Sequence, residues 1–231
     1  MTLTKYGIRE WGMATIAAAV LVIAAAWMFF IQWQITATVI LVIAIIMWIG
    51  IAGFFRSPKR HIPEDINLIL SPADGTVKDI EEVDFNVEPF QGRALRVGIF
   101  LSVFNVHVNR APAEWSVSNK IYREGRYLDA RHPECARENE AMTLAGTASI
   151  NQNSFPMAVR QISGAIARRI VCPVQPGEQI KRGKIYGMIK FGSRTELYLP
   201  VSDQFKINVK IGDKVKAGSS VIAVFNPQNG E

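Results

Sequence analysis

Gly177-Glu-Gln-Ile-Lys-Arg-Gly183-Lys-Ile-Tyr-Gly-Met-Ile189 returns 35 residues later as Gly212-Asp-Lys-Val-Lys-Ala-Gly218-Ser-Ser-Val-Ile-Ala-Val224. Each copy runs from a Gly-acid pair through Ile or Val and Lys to a second Gly, then into an apolar run. Glycines six apart supply turn conformations that a Cβ disfavours, and the apolar residue between them plugs a core. The pattern predicts paired turn-and-strand units and hence a mostly β domain. Outward from this echo, Asp74-Gly75 followed by Thr-Val-Lys-Asp-Ile reads as a tight turn into a strand, and Arg93–Leu101 reads as another. Val103–Arg110 is β-like, whereas the apolar residues of Ala158–Val171 fit a strand or a helix. One or two short helices complete the expected domain.

The N-terminal part is of another kind. From Trp11 to Phe55, 45 consecutive residues contain no Asp, Glu, Lys or Arg. That length fits two membrane spans, Trp11–Ile31 and Ile35–Phe55, joined by the polar Gln32-Trp33-Gln34. A secretory signal peptide is the rival reading, but it predicts one short apolar core and a small-residue cleavage site. Lys5 and Arg9 before the block, and Arg56, Lys59 and Arg60 after it, place both termini in the cytoplasm. The expected organisation is a tail over 1–10, a membrane hairpin over 11–55, a basic linker over 56–66 and a β domain over 67–231. With no ionisable group, the hairpin offers no proton or ion path, so anchorage at the cell membrane is its expected role, the alternative being a topology signal only.

Lys+Arg 26 against Asp+Glu 20 gives a net charge of +6. Together with the apolar block, this excludes a disordered chain, a collagen-like repeat and a fully soluble protein. A multi-span transporter is excluded because nothing after Phe55 approaches a spanning length. Cys135 and Cys172 are too far apart for a metal motif and are expected as buried thiols. His61, His107 and His132 have no paired spacing, so no metal site is expected. No motif supports nucleic-acid binding.

Six motifs occur in order: Ser71-Pro-Ala-Asp74-Gly75, Phe100-Leu-Ser-Val-Phe-Asn-Val-His107-Val-Asn-Arg110-Ala-Pro112, Glu138-Asn-Glu140, QISGAIARRIVC over Gln161–Cys172, RGKIYGMIKFGS over Arg182–Ser193, and the continuation Arg194-Thr195-Glu196. Together they resemble the phosphatidylserine decarboxylase family, in its short, membrane-anchored form. The glycine echo is similar to the paired units of biotinyl and lipoyl carrier domains, which implies a barrel-sandwich β fold. The resemblance implies a self-processing proenzyme. Ser193 Oγ attacks the Gly192 carbonyl, and the resulting ester undergoes β-elimination. Loss of ammonia leaves a covalent pyruvoyl cofactor at residue 193. Two chains result, 1–192 and 193–231, which form a heterodimer. The pyruvoyl carbonyl then condenses with the amine of phosphatidylserine, or of its ether-linked analogue archaetidylserine, as a Schiff base. Carbon dioxide leaves and the ethanolamine lipid remains.

Glycine before serine leaves the attacked carbonyl unhindered, and serine supplies an oxygen that is first nucleophile and then leaving group. Taken without the other motifs, Gly192-Ser193 reads only as a strand bulge or turn. His107 is expected to move a proton during processing or after decarboxylation, the alternative being a core histidine with a satisfied hydrogen bond. Asp74 is expected to orient a catalytic group or simply to form a turn. Arg110 is a candidate for the substrate's phosphate or carboxylate. Arg168-Arg169 and Lys181-Arg182-Gly-Lys184 read as solvated faces, as do His61 and His132. The chain departs from the family pattern at Arg110, where many members carry a second histidine, and at Asn105, where relatives often have Asp. The competing functional class is a non-catalytic, membrane-tethered carrier of lipoyl-like fold, whose modifiable lysine would be Lys190 after Met188-Ile189.

Overall fold

The computed structural model describes residues 2–129, 132, 134–165, 169–190 and 193–226. The chain divides into two compact units, Met1–Lys59 and Arg60–Glu231. In the first, helices Ile8–Phe30 and Gln34–Phe54 are both long and apolar enough to cross a membrane. At 1.5 Å per residue they span about 35 and 32 Å. Gln32, at φ 67°, reverses the chain between them. Ala25, Ala37 and Ala44 are buried, small enough to let two helix backbones approach closely. Trp48 Nε1 donates to Thr15 Oγ1 at 3.1 Å and ties the helices together.

The second unit is mostly β. Its main sheet is antiparallel and runs in the spatial order Gln179–Ile180, Glu114–Arg123, Ala141–Ile150, Asn153–Ile162, Ser193–Pro200, Arg93–Leu101, Gly75–Asp84, Lys214–Val215. Two three-stranded sheets accompany it. In one, Ile185–Lys190 lies between Arg169–Val171 and Val108–Arg110; in the other, Val221–Phe225 lies between Phe205–Ile207 and Leu68–Leu70. The principal core contains Ile69, Val97, Ile99, Trp115, Leu144, Leu197, Leu199 and Ile222. A smaller cluster joins Phe85 and Phe90, from the connection over 85–92, to Ala94, Ala158 and Tyr198 of the main sheet. Among the described residues the main sheet is open, with its two edge strands unpaired to each other, so no closed barrel forms.

The glycine echo has a direct structural meaning. Each copy places a two-residue strand at one edge of the main sheet, then supplies the middle strand of a small sheet. Gly177, Gly183, Gly212 and Gly218 all have positive φ, between 71° and 98°, where a side chain is strained. Ile180 and Val215, the apolar residues between them, are buried. A second repeat, missed in the sequence, joins the first. Ser71-Pro-Ala-Asp74 and Ala111-Pro-Ala-Glu114 each connect the outer strand of a small sheet to a long strand of the main one. Gly218 N donates to Ser71 O at 2.9 Å, and Gly183 N to Ala111 O at 2.8 Å.

Two local expectations change. Only Val108–Arg110 of the β-like stretch is a strand, because Asn105 Oδ1 accepts from both Ser102 N and Ser102 Oγ at 2.8 Å and closes a turn instead. The ambiguous Ala158–Val171 resolves into the end of one strand, Asn153–Ile162, and a separate strand Arg169–Val171. The single short helix of this unit among the described residues is Cys135–Glu138.

Candidate active site

Ser193 opens the strand Ser193–Pro200, which pairs on one side with Arg93–Leu101 and on the other with Asn153–Ile162. Strand alternation turns Ser193 and Thr195 to the same face as the core residues Leu197 and Leu199. Ser193 is fully buried, and its hydroxyl has no hydrogen-bond partner among the described residues. A buried unsatisfied hydroxyl costs about 1–3 kcal/mol and calls for an explanation. Gly192 lies outside the described residues, as does Arg168.

Asn109 assembles the surroundings of this serine. Its Nδ2 donates to Thr195 Oγ1 at 3.1 Å and to the Pro72 carbonyl at 3.3 Å, while its Oδ1 accepts from Gln161 Nε2 at 2.8 Å. One buried amide thus joins four motifs that are far apart in sequence. Gly187 backs Gln161: a Cβ there would stand 2.9 Å from Gln161 Nε2 and 2.6 Å from Val171 O. The Glu138-Asn-Glu140 motif holds the next turn, for Asn139 Nδ2 donates to Ser163 O at 2.8 Å and Ser163 N donates to Glu140 O at 2.9 Å. Arg194 pairs with Ile162, so the ladder continued one step sets Ser163 opposite Ser193. Ser163 Oγ is also buried without a partner among the described residues.

His107 is fully buried. Its Nδ1 lies 2.9 Å from the Asn105 carbonyl. A carbonyl only accepts, so Nδ1 carries the proton and Nε2 is the nitrogen able to accept one in the neutral ring. The Ser102–Asn105 turn fixes that carbonyl. Because Asn105 uses only its side-chain oxygen in the turn, an Asp there could accept the same two bonds. Ile189 N donates to His107 O at 3.2 Å, so the histidine sits beside the strand that leads to Ser193.

Asp74 is buried, and it lies one residue before Gly75, where the ladder approaches Leu101, the partner of Ser193. Its carboxylate accepts from Arg60 Nη2 at 2.6 and 2.8 Å and from Ala217 N at 2.8 Å. Among the described residues it makes no hydrogen bond to Ser193 or His107, so the three are not joined as a triad. Arg60, read as part of a linker, is the residue the sequence reading missed. Arg110 Nη1 donates to the Gly183 carbonyl at 2.9 Å. Burial and the neighbouring Arg60 lower the pKa of Arg110, and Asp74 partly offsets them.

The opposite face of the Ser193–Pro200 strand is charged yet buried. Arg194 donates to Glu196 Oε1 at 2.9 Å and to Asp79 Oδ1 at 2.7 Å, and Tyr198 OH donates to Glu196 Oε2 at 2.6 Å. Burial opposes the charge on Arg194, but Glu196 and Asp79 hold its pKa above the usual range. Gly98 leaves room for this guanidinium, since a Cβ there would collide with Arg194 Nη2. Lys190, the carrier reading's lysine, is only 6% exposed and lies in a middle strand rather than at a hairpin tip.

A family model described as phosphatidylserine decarboxylase matches residues 50–223. The chain is 40% identical over 219 residues to a phosphatidylserine decarboxylase proenzyme of Rhodopirellula baltica, covering 95% of this chain and 86% of that one. Proenzymes of the same description from Carboxydothermus hydrogenoformans and Syntrophus aciditrophicus are each 44% identical. The first match covers 77% of this chain and 80% of the relative, and the second 74% and 78%.

Proposed function

The chain belongs to the phosphatidylserine decarboxylase family, and from that premise we propose that it is a proenzyme that cuts itself between Gly192 and Ser193 and then decarboxylates phosphatidylserine or archaetidylserine. The observation that carries this reading is the buried hydroxyl of Ser193, without a partner among the described residues at the start of an interior strand. Such an oxygen is held for chemistry rather than for stability. Attack on the Gly192 carbonyl converts the amide to an ester. β-Elimination then breaks the Ser193 Cβ–Oγ bond, expelling the Gly192 carboxylate and leaving a dehydroalanine; its imine tautomer adds water and loses ammonia to yield the pyruvoyl group at residue 193. That group supplies an electron sink for a substrate amine bearing a carboxylate.

The remaining assignments concern the chain's own residues. His107 Nε2 takes or gives the proton, with Nδ1 locked on Asn105 O. Asn109 and Gln161 set the position of the strand through Thr195. Asp74 keeps the Ser71–Gly75 turn against Arg60 and Ala217 and positions rather than reacts. Arg110, a guanidinium whose charge burial and Arg60 disfavour, gains from an anionic partner, so it is our candidate for the substrate's phosphate or carboxylate. The glycine-turn units are the elements we liken to a carrier-type barrel-sandwich. The products, 1–192 and 193–231, remain a heterodimer because the small chain's first strand is bordered on both sides by strands of the large one. The helices of the first unit form the anchor, and residues 56–66 link it to the catalytic domain on the cytoplasmic face of the cell membrane.

A denaturing gel and an assay for released carbon dioxide test the proposal. Wild-type protein should resolve into two pieces, the smaller with a blocked, carbonyl-reactive terminus. Ser193→Ala should give one full-length inactive chain. Active protein running as a single uncut band would overturn the reading.

A further inference from the structure

The main sheet carries a second cavity, on the face opposite Ser193 Oγ. It has a volume of about 670 Å³ and is lined by five arginines against two carboxylates, Glu82 and Asp84, with Phe85 and Tyr198 among the other lining residues. Small-molecule sites run from roughly 300 to 1,000 Å³. Tyr198 is five residues along the strand from Ser193, about 17 Å at strand spacing, so this is a different place from the cleavage point.

The cations of the cavity are unevenly matched. Arg93 pairs with Glu82 at 2.7 Å, and Arg96 pairs with Glu81 and, at 3.2 Å, with Asp79. Arg123 and Arg137 have no ion-pair partner among the described residues, and Arg160 has only a long one. Arg123 Nη2 donates to the Ala136 and Asn139 carbonyls at 2.9 and 2.8 Å, and its Nε is buried with no acceptor among the described residues. Arg160 Nε donates to Thr143 Oγ1 at 3.0 Å, and its contact with Glu196 is 3.8 Å, longer than a hydrogen bond. Glu196 is already engaged by Arg194 and Tyr198. Arg137 is exposed and forms no ion pair among the described residues. Burial and the like charge of Arg160 push the Arg123 pKa down, and Glu196, Tyr198 and Glu138 only partly offset them. Phe85 and Tyr198 stack with centroids 4.0 Å apart, and the Arg160 guanidinium lies over both rings at 5.4 and 5.2 Å. That packing holds the guanidinium as a flat, oriented donor.

We propose that this cavity is a second ligand site, in which Arg123, Arg137 and Arg160 take a phosphate-type anion. Guanidinium forks match phosphate oxygens in pairs, and a partly desolvated cluster gains most from such a partner. The anion is either free phosphate or the phosphodiester of a lipid headgroup.

The test uses the full chain in neutral detergent and follows its unfolding midpoint and direct titration. Inorganic phosphate is one arm, against chloride at equal ionic strength. Mixed micelles of phosphatidylglycerol, against phosphatidylcholine, are the other. Saturable stabilisation is expected. Arg137→Gln, at an exposed position, should weaken binding at least about tenfold, as loss of a charge-assisted contact does. Arg123→Gln should weaken it further. A cooperative unfolding transition in anion-free buffer shows that each variant folds, with Arg123→Gln at a lower midpoint because its bonds to the Ala136 and Asn139 carbonyls are lost. Saturation by phosphate with no gain from phosphatidylglycerol identifies the free anion; tighter binding of phosphatidylglycerol micelles identifies the headgroup. Either result supports the site. No saturable binding in both arms overturns it, as does binding that Arg137→Gln leaves untouched.

Discussion

Asn109→Ala is the sharpest perturbation of the candidate site, because its cost can be worked out bond by bond. The substitution removes one buried amide that makes three hydrogen bonds. Not all three losses hurt. The Pro72 carbonyl still accepts from Arg110 N at 3.0 Å, and the Thr195 hydroxyl can rotate toward another acceptor. Gln161 Nε2 has no such recourse, since Gln161 is 1% exposed and its own Oε1 already lacks a partner among the described residues. One orphaned donor costs about 1–3 kcal/mol, and the unfilled space adds about 1 kcal/mol. The expected destabilisation is therefore about 2–4 kcal/mol, a fall of roughly 5–15 °C in midpoint for a unit of this size. Thermal unfolding of the full chain in detergent measures it. The decisive comparison is the double variant Asn109→Ala with Gln161→Ala, in which no orphan is left. It should cost at least about 1 kcal/mol less than the sum of the single changes. Strict additivity would show that the Gln161–Asn109 bond does not hold the site together.

His107→Phe keeps an aromatic ring, somewhat larger, and removes both ring nitrogens, so the rate of chain cleavage or of carbon dioxide release should fall about a hundredfold or more; wild-type rates for both would remove His107 from the chemistry. Gly98→Ala drives a methyl into Arg194 and Asp79 and should cost about 3 kcal/mol through the disrupted buried pair, visible as a lower midpoint together with slower cleavage on a timed gel. Burial pushes the Cys172 thiol up to about 11. Its alkylation by iodoacetamide should therefore be slow at neutral pH and rise with pH until about 11, and the fold should lose stability as pH climbs from the ordinary thiol range toward that value. Complete modification within minutes at neutral pH in folded protein would contradict this.

Much of the candidate site was legible because the residues proposed for its chemistry sit in contiguous motifs. Ser193, His107 and Asp74 are readable as single letters in characteristic surroundings, and the glycine echo announced the β character. What could not be read was which partner each letter would meet. Asp74 found Arg60, from a stretch that reads as linker, because a buried carboxylate needs a cation and the fold brings that one. Asn109 stood inside a recognised motif, yet its importance depends on Gln161 and Thr195 arriving from other strands. The signal nearest to sufficient was Arg194-Thr195-Glu196: charges alternating along an apolar strand mean either a solvated face or a buried ion network. Only the layer of Asp79, Arg96 and Tyr198 decides for the network. The Ser102–Asn105 turn was misread as strand because Val103 and Phe104 carry β propensity, and local side-chain bonding to the backbone overrode it.

The two faces of the Ser193–Pro200 strand answer a problem that cleavage would create. A cut between 192 and 193 turns the middle of a sheet into a chain end, and chain ends fray unless tied down. A frayed residue 193 could not hold a reactive carbonyl in one place. The first side chains after the cut are the tie. Arg194 is bonded across the intervening Arg93–Leu101 strand to Asp79 of Gly75–Asp84 and braced by Glu196, while on the other face Thr195 accepts from Asn109. Asp79 and Asn109 both belong to the large chain, so the new terminus would be clamped by its former upstream partner from above and below the sheet. The buried Arg194–Asp79 pair is thus better understood as precision at residue 193 than as net stability, since a buried ion pair often contributes little to the latter.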